Sequence, residues 1–397
     1  MHIIETGNVA AALGVQLAKA QVVAAYPITP QTPLTEKLSE LIESGEMDAE
    51  YIPVESEHSA LSVCIAASTT GARAFTATSA NGLLYMHEQI HWAAGARLPI
   101  VMCVANRGVG APWTIWNDHQ DSISQRDTGW LQIYASDHQQ IIDSVIKAFY
   151  LAEKINIPVM VCYDGYLLSH TYMPFEVPEQ KKVDSFISPL KSYYALNPDE
   201  PANLNTVTLP DVRPDIHGKI SHGYMELRYL LHEGMVHAID ELGKVEERFK
   251  EIFGRGDNPY IECYRCEDAS FIAVSMGSLS YQLMDVVDQL REEGIKVGSA
   301  GMRLYRPFPD KAVVEALADV KGVIVFEKAI SYGFCGPLYS DIKSAIYDNK
   351  NRPFVHNYIL GLGGREIKTG DLSGALRNSC TENMSRTQEP GWIGLKI

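Results

Sequence analysis

The stretch Ala25-Tyr-Pro-Ile-Thr-Pro-Gln-Thr32 decides how this chain is read, together with Val54-Glu-Ser-Glu-His-Ser-Ala60 and Ala105-Asn-Arg-Gly-Val-Gly-Ala-Pro112. In the first, the apolar run Val22-Val23-Ala24-Ala25 ends at two prolines that bracket Thr29. Proline fixes φ and removes a backbone donor, so strand pairing stops there and the loop is stiff. A stiff loop at the end of a strand is where an open α/β sheet holds its ligand. The three stretches offer a hydroxyl at Thr29, a carboxylate at Glu57 and a guanidinium at Arg107.

Outward from these stretches, helix-like and strand-like segments alternate. Helical spacing covers 7–20 and about 33–44, with strands at 21–25 and 51–54. Ser56 is the expected N-cap of a helix through Ala67. A strand at 75–78 leads into a helix ending near Gly95, and the buried strand 98–105 delivers Asn106 and Arg107 at its C-terminal end. Strands at 131–134 and 158–163 flank a helix over about 138–153. Continuous apolar strands alternating with helices predict a doubly wound parallel sheet over residues 1–170. From 171 to 221 the pattern breaks into an extended connector rich in proline and polar residues. A charge-laced helix over roughly 224–253 follows, stopped by Gly254-Arg-Gly256, so that 171–256 forms a connecting segment. Alternation resumes in a smaller α/β unit over 257–397.

Bulk composition bounds the function. At 397 residues the chain is long enough for two cores, and 46% hydrophobic with 21% charged residues is ordinary for a globular protein. Against 34 basic residues stand 49 acidic ones, a formal net charge of −15 with no basic stripe. That argues against nucleic-acid binding, since phosphate neutralisation needs clustered cations. No apolar run nears the ~18 residues that suggest a membrane span, and no signal pattern opens the chain. The seven cysteines are an odd number, and Cys64, Cys103 and Cys162 sit in apolar segments, as reduced buried thiols do in a cytoplasmic protein.

Each candidate group has a plain structural alternative. Glu57, opening a helix, suits a ligand-facing carboxylate or simply an acid at the helix N-terminus. Arg107 suits bidentate capture of a carboxylate, or a structural ion pair. Thr29 between prolines is often a turn stabiliser. Trp116-Asn-Asp-His-Gln-Asp121 holds acid–base candidates in Asp118 and His119, yet no second His or Cys lies at ligand spacing. No metal site is expected on this chain, and the segment reads as solvated loop polarity. Cys263-Tyr-Arg-Cys266 is a lone C-x-x-C, read as incidental, and Gly361-Leu-Gly-Gly364 reads as a turn.

Taken as an ordered set, these motifs resemble a known family. Tyr26-Pro-Ile-Thr-Pro30, Glu55-Ser-Glu-His-Ser-Ala60, Phe75-Thr-Ala-Thr-Ser79, Asn106-Arg107 with Ala111-Pro112, Trp116-Asn-Asp-His119, Arg126-Asp-Thr-Gly-Trp130, Asp164-Gly-Tyr-Leu-Leu-Ser-His170 and Arg306-Pro-Phe-Pro309 fall in the order found in α subunits of 2-oxoacid:ferredoxin oxidoreductases. The resemblance covers nearly the whole chain. It implies an enzyme that converts a 2-oxo acid and coenzyme A, as co-substrate, into acyl-CoA and CO₂, with electrons leaving to ferredoxin or a similar acceptor. It implies a thiamine pyrimidine-binding domain followed by a transketolase-C-terminal-like domain. Thiamine diphosphate is then shared with a β subunit that carries the diphosphate-binding domain and its Mg²⁺. Four-iron clusters sit on that β subunit and on a ferredoxin-like subunit, a γ subunit completes the set, and the assembly is a dimer of hetero-oligomers. The sequence lacks a Gly-Asp-Gly followed by paired asparagines, in keeping with half an active site.

Residue by residue, the resemblance makes Glu57 the catalytic glutamate. Its carboxylate shares a proton with N1′ of the aminopyrimidine and favours the imino form whose 4′-nitrogen deprotonates the thiazolium. Pro30 and Asn106 fall among the cofactor-binding positions, with Asp118 as a support of the loop. Thr29 and Arg107 match the pair that binds the substrate carboxylate. After the arginine, a pattern commonly Ala-Leu-Ser-Ala-Pro becomes Gly108-Val-Gly-Ala-Pro112, and Trp113 follows. Less side-chain volume at Gly108, Val109 and Gly110 beside an apolar Trp113 predicts a roomier pocket. Such a pocket suits phenylglyoxylate or a branched-chain 2-oxo acid, with pyruvate the alternative.

Overall fold

A computed structural model of the chain describes residues 1–187, 213–214, 220–221, 223–381 and 389–397. The first part runs β1 (His2–Thr6), α1 (Gly7–Leu17), β2 (Val22–Ala25), α2 (Thr32–Glu43), β3 (Glu50–Pro53), α3 (Glu57–Thr69), β4 (Ala74–Thr78), α4 (Ala80–Tyr85) and α5 (His87–Gly95). It continues through β5 (Val101–Asn106), α6 (Gln120–Ile123), β6 (Leu131–Tyr134), α7 (His138–Ile155), β7 (Val159–Asp164), β8 (Tyr172–Glu176) and α8 (Gln180–Phe186). The short strands β9 (Arg213–Pro214) and β10 (Ile220–Ser221) precede the long helix α9 (Tyr224–Phe253). The second part comprises β11 (Ile261–Tyr264), β12 (Phe271–Met276), α10 (Leu279–Glu292), β13 (Val297–Met302), β14 (Leu304–Arg306), α11 (Asp310–Leu317), β15 (Gly322–Glu327), α12 (Pro337–Ile346), β16 (Phe354–Ile359), α13 (Thr369–Thr381) and β17 (Gly391–Trp392).

Local chemistry sets these boundaries. Ser56 Oγ accepts from the Ser59 amide at 3.2 Å and caps α3, as expected. Asp137 caps α7 through the Gln140 amide at 2.7 Å, and Asn156 closes that helix in the left-handed region. Gly254, also left-handed at φ 71°, ends α9 where the sequence predicted a stop. The helix expected up to Gly95 is two, α4 and α5, which meet at Met86. Most of the expected connector lies outside the described residues. Its described start is a strand and a helix, with β8 pairing antiparallel to β1.

The first sheet has the order β14-β6-β7-β5-β4-β2-β3. Its strands are parallel except β14, which pairs antiparallel with β6. β14 comes from the second half of the chain, so the sheet expected to be purely parallel is closed by a short antiparallel edge. Strands β4, β5, β6 and β7 are buried throughout, which is why they read as continuous apolar runs. The second sheet, β11-β13-β12-β15-β16-β17, is parallel apart from β11. No helix among the described residues is long and apolar enough to cross a membrane.

In the first sheet β2 lies between β3 and β4, so the chain leaves β2 toward one edge and returns on its other side. That reversal opens a crevice at the carboxyl ends of the strands. The loops after β2, β3, β4 and β5 all emerge there.

Candidate functional site

The loop after β2 is clamped from beneath. Gln31 Nε2 donates to the Ala77 carbonyl on β4 at 2.9 Å, and Asn8 Nδ2 donates to the Pro30 carbonyl at 2.9 Å. Asn8 is in turn fixed by the Tyr163 hydroxyl at 2.8 Å. Pro30 is buried while Thr29 stays exposed, so the loop is rigid and its hydroxyl residue faces outward.

From β5, Arg107 reaches across the crevice to that loop. Its Nη1 donates to the Thr29 carbonyl at 2.7 Å, although the residue is only 4% exposed. Nε has no partner among the described residues. Burial pulls the guanidinium below its ordinary pKa, opposed by Asp121, Tyr166 and Glu57, in that order.

Asp121 ties the strand ends together. Its carboxylate accepts from the amides of Ala80 and Arg107 at 2.9 and 3.0 Å and from Asn106 Nδ2 at 2.7 Å. Complete burial pushes its carboxyl up to about 6. Asn106 Oδ1 has no partner among the described residues, so this cofactor-binding candidate keeps a buried acceptor in reserve.

Glu57 opens α3 with its side chain nearly buried, and none of its oxygens is hydrogen-bonded among the described residues. Facing it is Gly82 on α4, where a Cβ would stand 2.5 Å from Glu57 Oε1 and 2.7 Å from Thr78 Oγ1. Thr78 Oγ1 is itself buried and has no partner among the described residues. A buried carboxylate without a donor, seated against a glycine where no side chain would fit, suits a protonated ring nitrogen such as that of an aminopyrimidine.

The loop after Arg107 departs from expectation at one position. A side chain on Gly108 would meet Thr114 Cγ2 at 2.6 Å and Asp118 Oδ2 at 3.0 Å, so the volume given up there is already filled. At Gly110 a Cβ would find only ordinary contacts, with Asn81 Oδ1 at 3.5 Å, and the Gly110 amide donates to that same atom at 3.0 Å. Val109 is partly buried, and Trp113 stands 76% exposed at the rim. Of the residues singled out from the sequence, Arg107 and Thr29 are in contact, Glu57 opens the helix after the neighbouring strand, Trp113 is exposed and Gly108 serves packing.

The segment Trp116–Asp121, expected to be solvated, is largely buried: Asn117, Asp118, His119 and Asp121 are all 6% exposed or less. The reason is Asp164 at the end of β7. Fully buried, its carboxylate accepts from His119 Nε2 at 2.6 Å, Asn117 Nδ2 at 3.1 Å, Lys328 Nζ at 2.9 Å and the Ser278 amide at 3.0 Å. Burial alone would raise its pKa. Lys328 and His119 outweigh that and hold the carboxyl well below the usual range. Lys328 and Ser278 follow strands of the second sheet, so this node joins the two halves of the chain. The Gly361–Gly364 turn also docks here, as the Gly363 amide donates to Asp118 at 3.1 Å and the Gly364 amide to the Asn117 carbonyl at 2.7 Å. The signal for this node was the density of ionisable residues in 116–121, which without their distant partners looks like loop polarity.

A family profile described as pyruvate flavodoxin/ferredoxin oxidoreductase, thiamine diphosphate-binding, matches residues 13–235, more than half of the chain. The chain belongs to this family. A second profile, pyruvate:ferredoxin oxidoreductase core domain II, matches residues 269–372. The ketoisovalerate oxidoreductase subunit VorA of Pyrococcus abyssi is 45% identical over 99% of this chain and 96% of its own length. The pyruvate synthase subunit PorA of Methanocaldococcus jannaschii is 44% identical over 98% of this chain and 97% of its own. The fold is shared with a 2-oxoglutarate:ferredoxin oxidoreductase from Magnetococcus marinus, at TM-score 0.70 and 20% identity over 96% of this chain and 65% of that one. It is shared more distantly with a split-gene transketolase, at TM-score 0.53 and 14% identity over 94% and 97%. The family resemblance read from the motifs, the thiamine-binding α/β fold and the oxidoreductase class are thereby established.

Proposed function

We propose that this α subunit works in a thiamine diphosphate-dependent complex that oxidatively decarboxylates a bulky apolar 2-oxo acid, branched-chain or aryl, with coenzyme A to acyl-CoA and CO₂. The observation that carries the reading is the nearly buried Glu57 carboxylate, without a hydrogen-bond donor among the described residues and seated against Gly82, one strand from the Arg107–Thr29 bridge. Thiamine diphosphate supplies the electron sink for decarboxylation. Glu57 holds the proton at the aminopyrimidine N1′, and Pro30 and Asn106 shape the cofactor wall. Arg107 and Thr29 hold the substrate carboxylate, and burial of the guanidinium strengthens that grip by keeping water away. Val109, Gly110 and Trp113 border the substrate's side chain.

The partners follow from chemistry this chain leaves to others. Mg²⁺ and iron–sulfur clusters belong to a β subunit and a ferredoxin-like subunit, with a γ subunit, in a dimer of hetero-oligomers that reduces ferredoxin or a similar acceptor. Tyr26, Trp113, Trp116, Tyr332 and Phe334 are exposed, apolar surface of the kind that partner subunits cover. Seven free thiols suit a reducing cytoplasm. The catalytic scaffold is divided as 1–170 and 257–397, joined by 171–256.

Pyruvate is the second reading, and a specific observation favours it. The space beside Gly108 is filled by Thr114 and Asp118, so the pocket gains room only near Gly110. Purification of the native complex and a screen of 2-oxoisovalerate, phenylglyoxylate and pyruvate for coenzyme A-dependent acceptor reduction tests both. Preference for the branched or aryl acid supports the first reading, and preference for pyruvate replaces it with the second. Absence of turnover with all three removes both.

A further inference from the structure

The loop after β7 carries a residue whose backbone is held against its own preference. Tyr166 has φ 60°, the left-handed region that a bulky side chain rarely adopts. The conformation is fixed locally: the Tyr166 amide donates to Ser169 Oγ at 2.8 Å, and Ser169 Oγ bonds His170 Nδ1 at 2.7 Å. The ring is clasped between Trp116, with centroids 4.6 Å apart, and His170, stacked at 4.7 Å. Strain of this kind persists where the surroundings over-determine it, characteristically at ligand sites.

The register says where this residue is aimed. Asn106 on β5 pairs with Asp164 on β7, so the residues that follow each of them leave the sheet side by side. Gly165 comes against the Asn106 carbonyl, and its Cβ position lies 2.8 Å from Pro30 Cγ, which seats Tyr166 beside the loop that holds Thr29. The carbonyl of Trp116, on whose ring Tyr166 packs, accepts from the Gly108 amide at 2.9 Å, which ties this clasp to the residue that follows Arg107. The ring is half-buried, and its hydroxyl makes no hydrogen bond among the described residues.

We propose that Tyr166 is a substrate-binding residue whose hydroxyl donates to the carboxylate of the 2-oxo acid held by Arg107 and Thr29. The assignment rests on the carboxylate site described above. Stacking alone would be served as well by phenylalanine, so the hydroxyl is what a test must isolate.

The probe is oxamate, a carboxylate-bearing isostere of pyruvate, titrated into the purified complex by calorimetry beside the thermal midpoint and thiamine diphosphate content. Tyr166→Phe is expected to weaken oxamate binding about tenfold, the usual worth of a hydrogen bond to a charged group. It is also expected to raise KM for the 2-oxo acid by a similar factor while kcat stays within about twofold. Midpoint and cofactor content should not move. Unchanged oxamate affinity in Tyr166→Phe, with affinity lost in Arg107→Ala, overturns this inference and leaves the carboxylate site standing. Unchanged affinity in both variants overturns the inference together with the site it rests on.

Discussion

Arg107 Nη1 donates to the carbonyl oxygen of Thr29 at 2.7 Å, joining two loops 78 residues apart in the chain. One corner of the guanidinium is thereby spent on holding the loop, while Nε remains without a partner. A planar fork can divide its donors in this way, and an ammonium on a flexible stem cannot. Arg107→Lys should therefore raise KM for the 2-oxo acid roughly tenfold to a hundredfold even though the charge is kept. Steady-state kinetics of the complex check this, and a KM within twofold of the parent's would mean that charge alone suffices.

The Glu57 carboxylate keeps its present seat only because position 82 has no side chain. Alanine there favours the helix by about 1 kcal/mol on propensity, but its Cβ would stand 2.5 Å from Glu57 Oε1. Gly82→Ala should leave the thermal midpoint within a few degrees, lower kcat about a hundredfold and weaken thiamine diphosphate retention. Full activity in this variant would show that the carboxylate need not hold its present place.

Asp164 is the acceptor on which His119, Asn117, Lys328 and Ser278 converge. Neutralising it leaves a lysine only 2% exposed without its counter-charge. Asp164→Asn should cost about 3–5 kcal/mol of unfolding free energy, and pairing it with Lys328→Met should recover a good part of that loss. Denaturant titration of the three variants reads the coupling. Because the folded carboxyl lies well below its ordinary value, the node's contribution is complete above about pH 4 and is lost progressively as pH falls from there through the lower folded value.

Asp121 titrates with the opposite sign. Burial raises its carboxyl to about 6, so between about pH 4 and that value the folded chain holds a proton that the unfolded chain has released. Its contribution to stability is therefore fullest below about pH 4, falls by up to roughly 3 kcal/mol as pH rises through the window, and is level above it. The slope of unfolding free energy between pH 4 and 6 should become less negative in Asp121→Asn than in the parent chain. Parallel pH profiles for the two would assign the dependence to other groups.

Most of the fold was legible because it is written in local period and punctuation. Buried parallel strands read as apolar runs, Ser56 announced its cap, and Gly254 announced the end of α9. The places of Glu57, Thr29 and Arg107 after strands β3, β2 and β5 were legible for a related reason, since each follows an apolar run that ends in a loop or a helix cap. What could not be read were relationships between distant residues. Gly108 looks like added room until Thr114 and Asp118 are seen to fill it. The ionisable run 116–121 looks like a wet loop until Asp164, Ser278 and Lys328 arrive from elsewhere. Tyr166 stood inside the motif Asp164–His170, but nothing there announced its left-handed φ, which its neighbours impose.

The edge strand Leu304–Arg306 has a practical corollary for anyone dissecting this subunit. Its backbone completes β6, and the Tyr134 amide donates to the Arg303 carbonyl at 2.7 Å. A fragment ending at residue 187 would retain Thr29, Glu57 and Arg107 yet present β6 as a bare ribbon edge, an open template for intermolecular pairing. It would also strand Asp164 without Lys328. Truncation is thus a poor route to a minimal cofactor-binding module, and the two halves should be cloned, expressed and refolded as one piece.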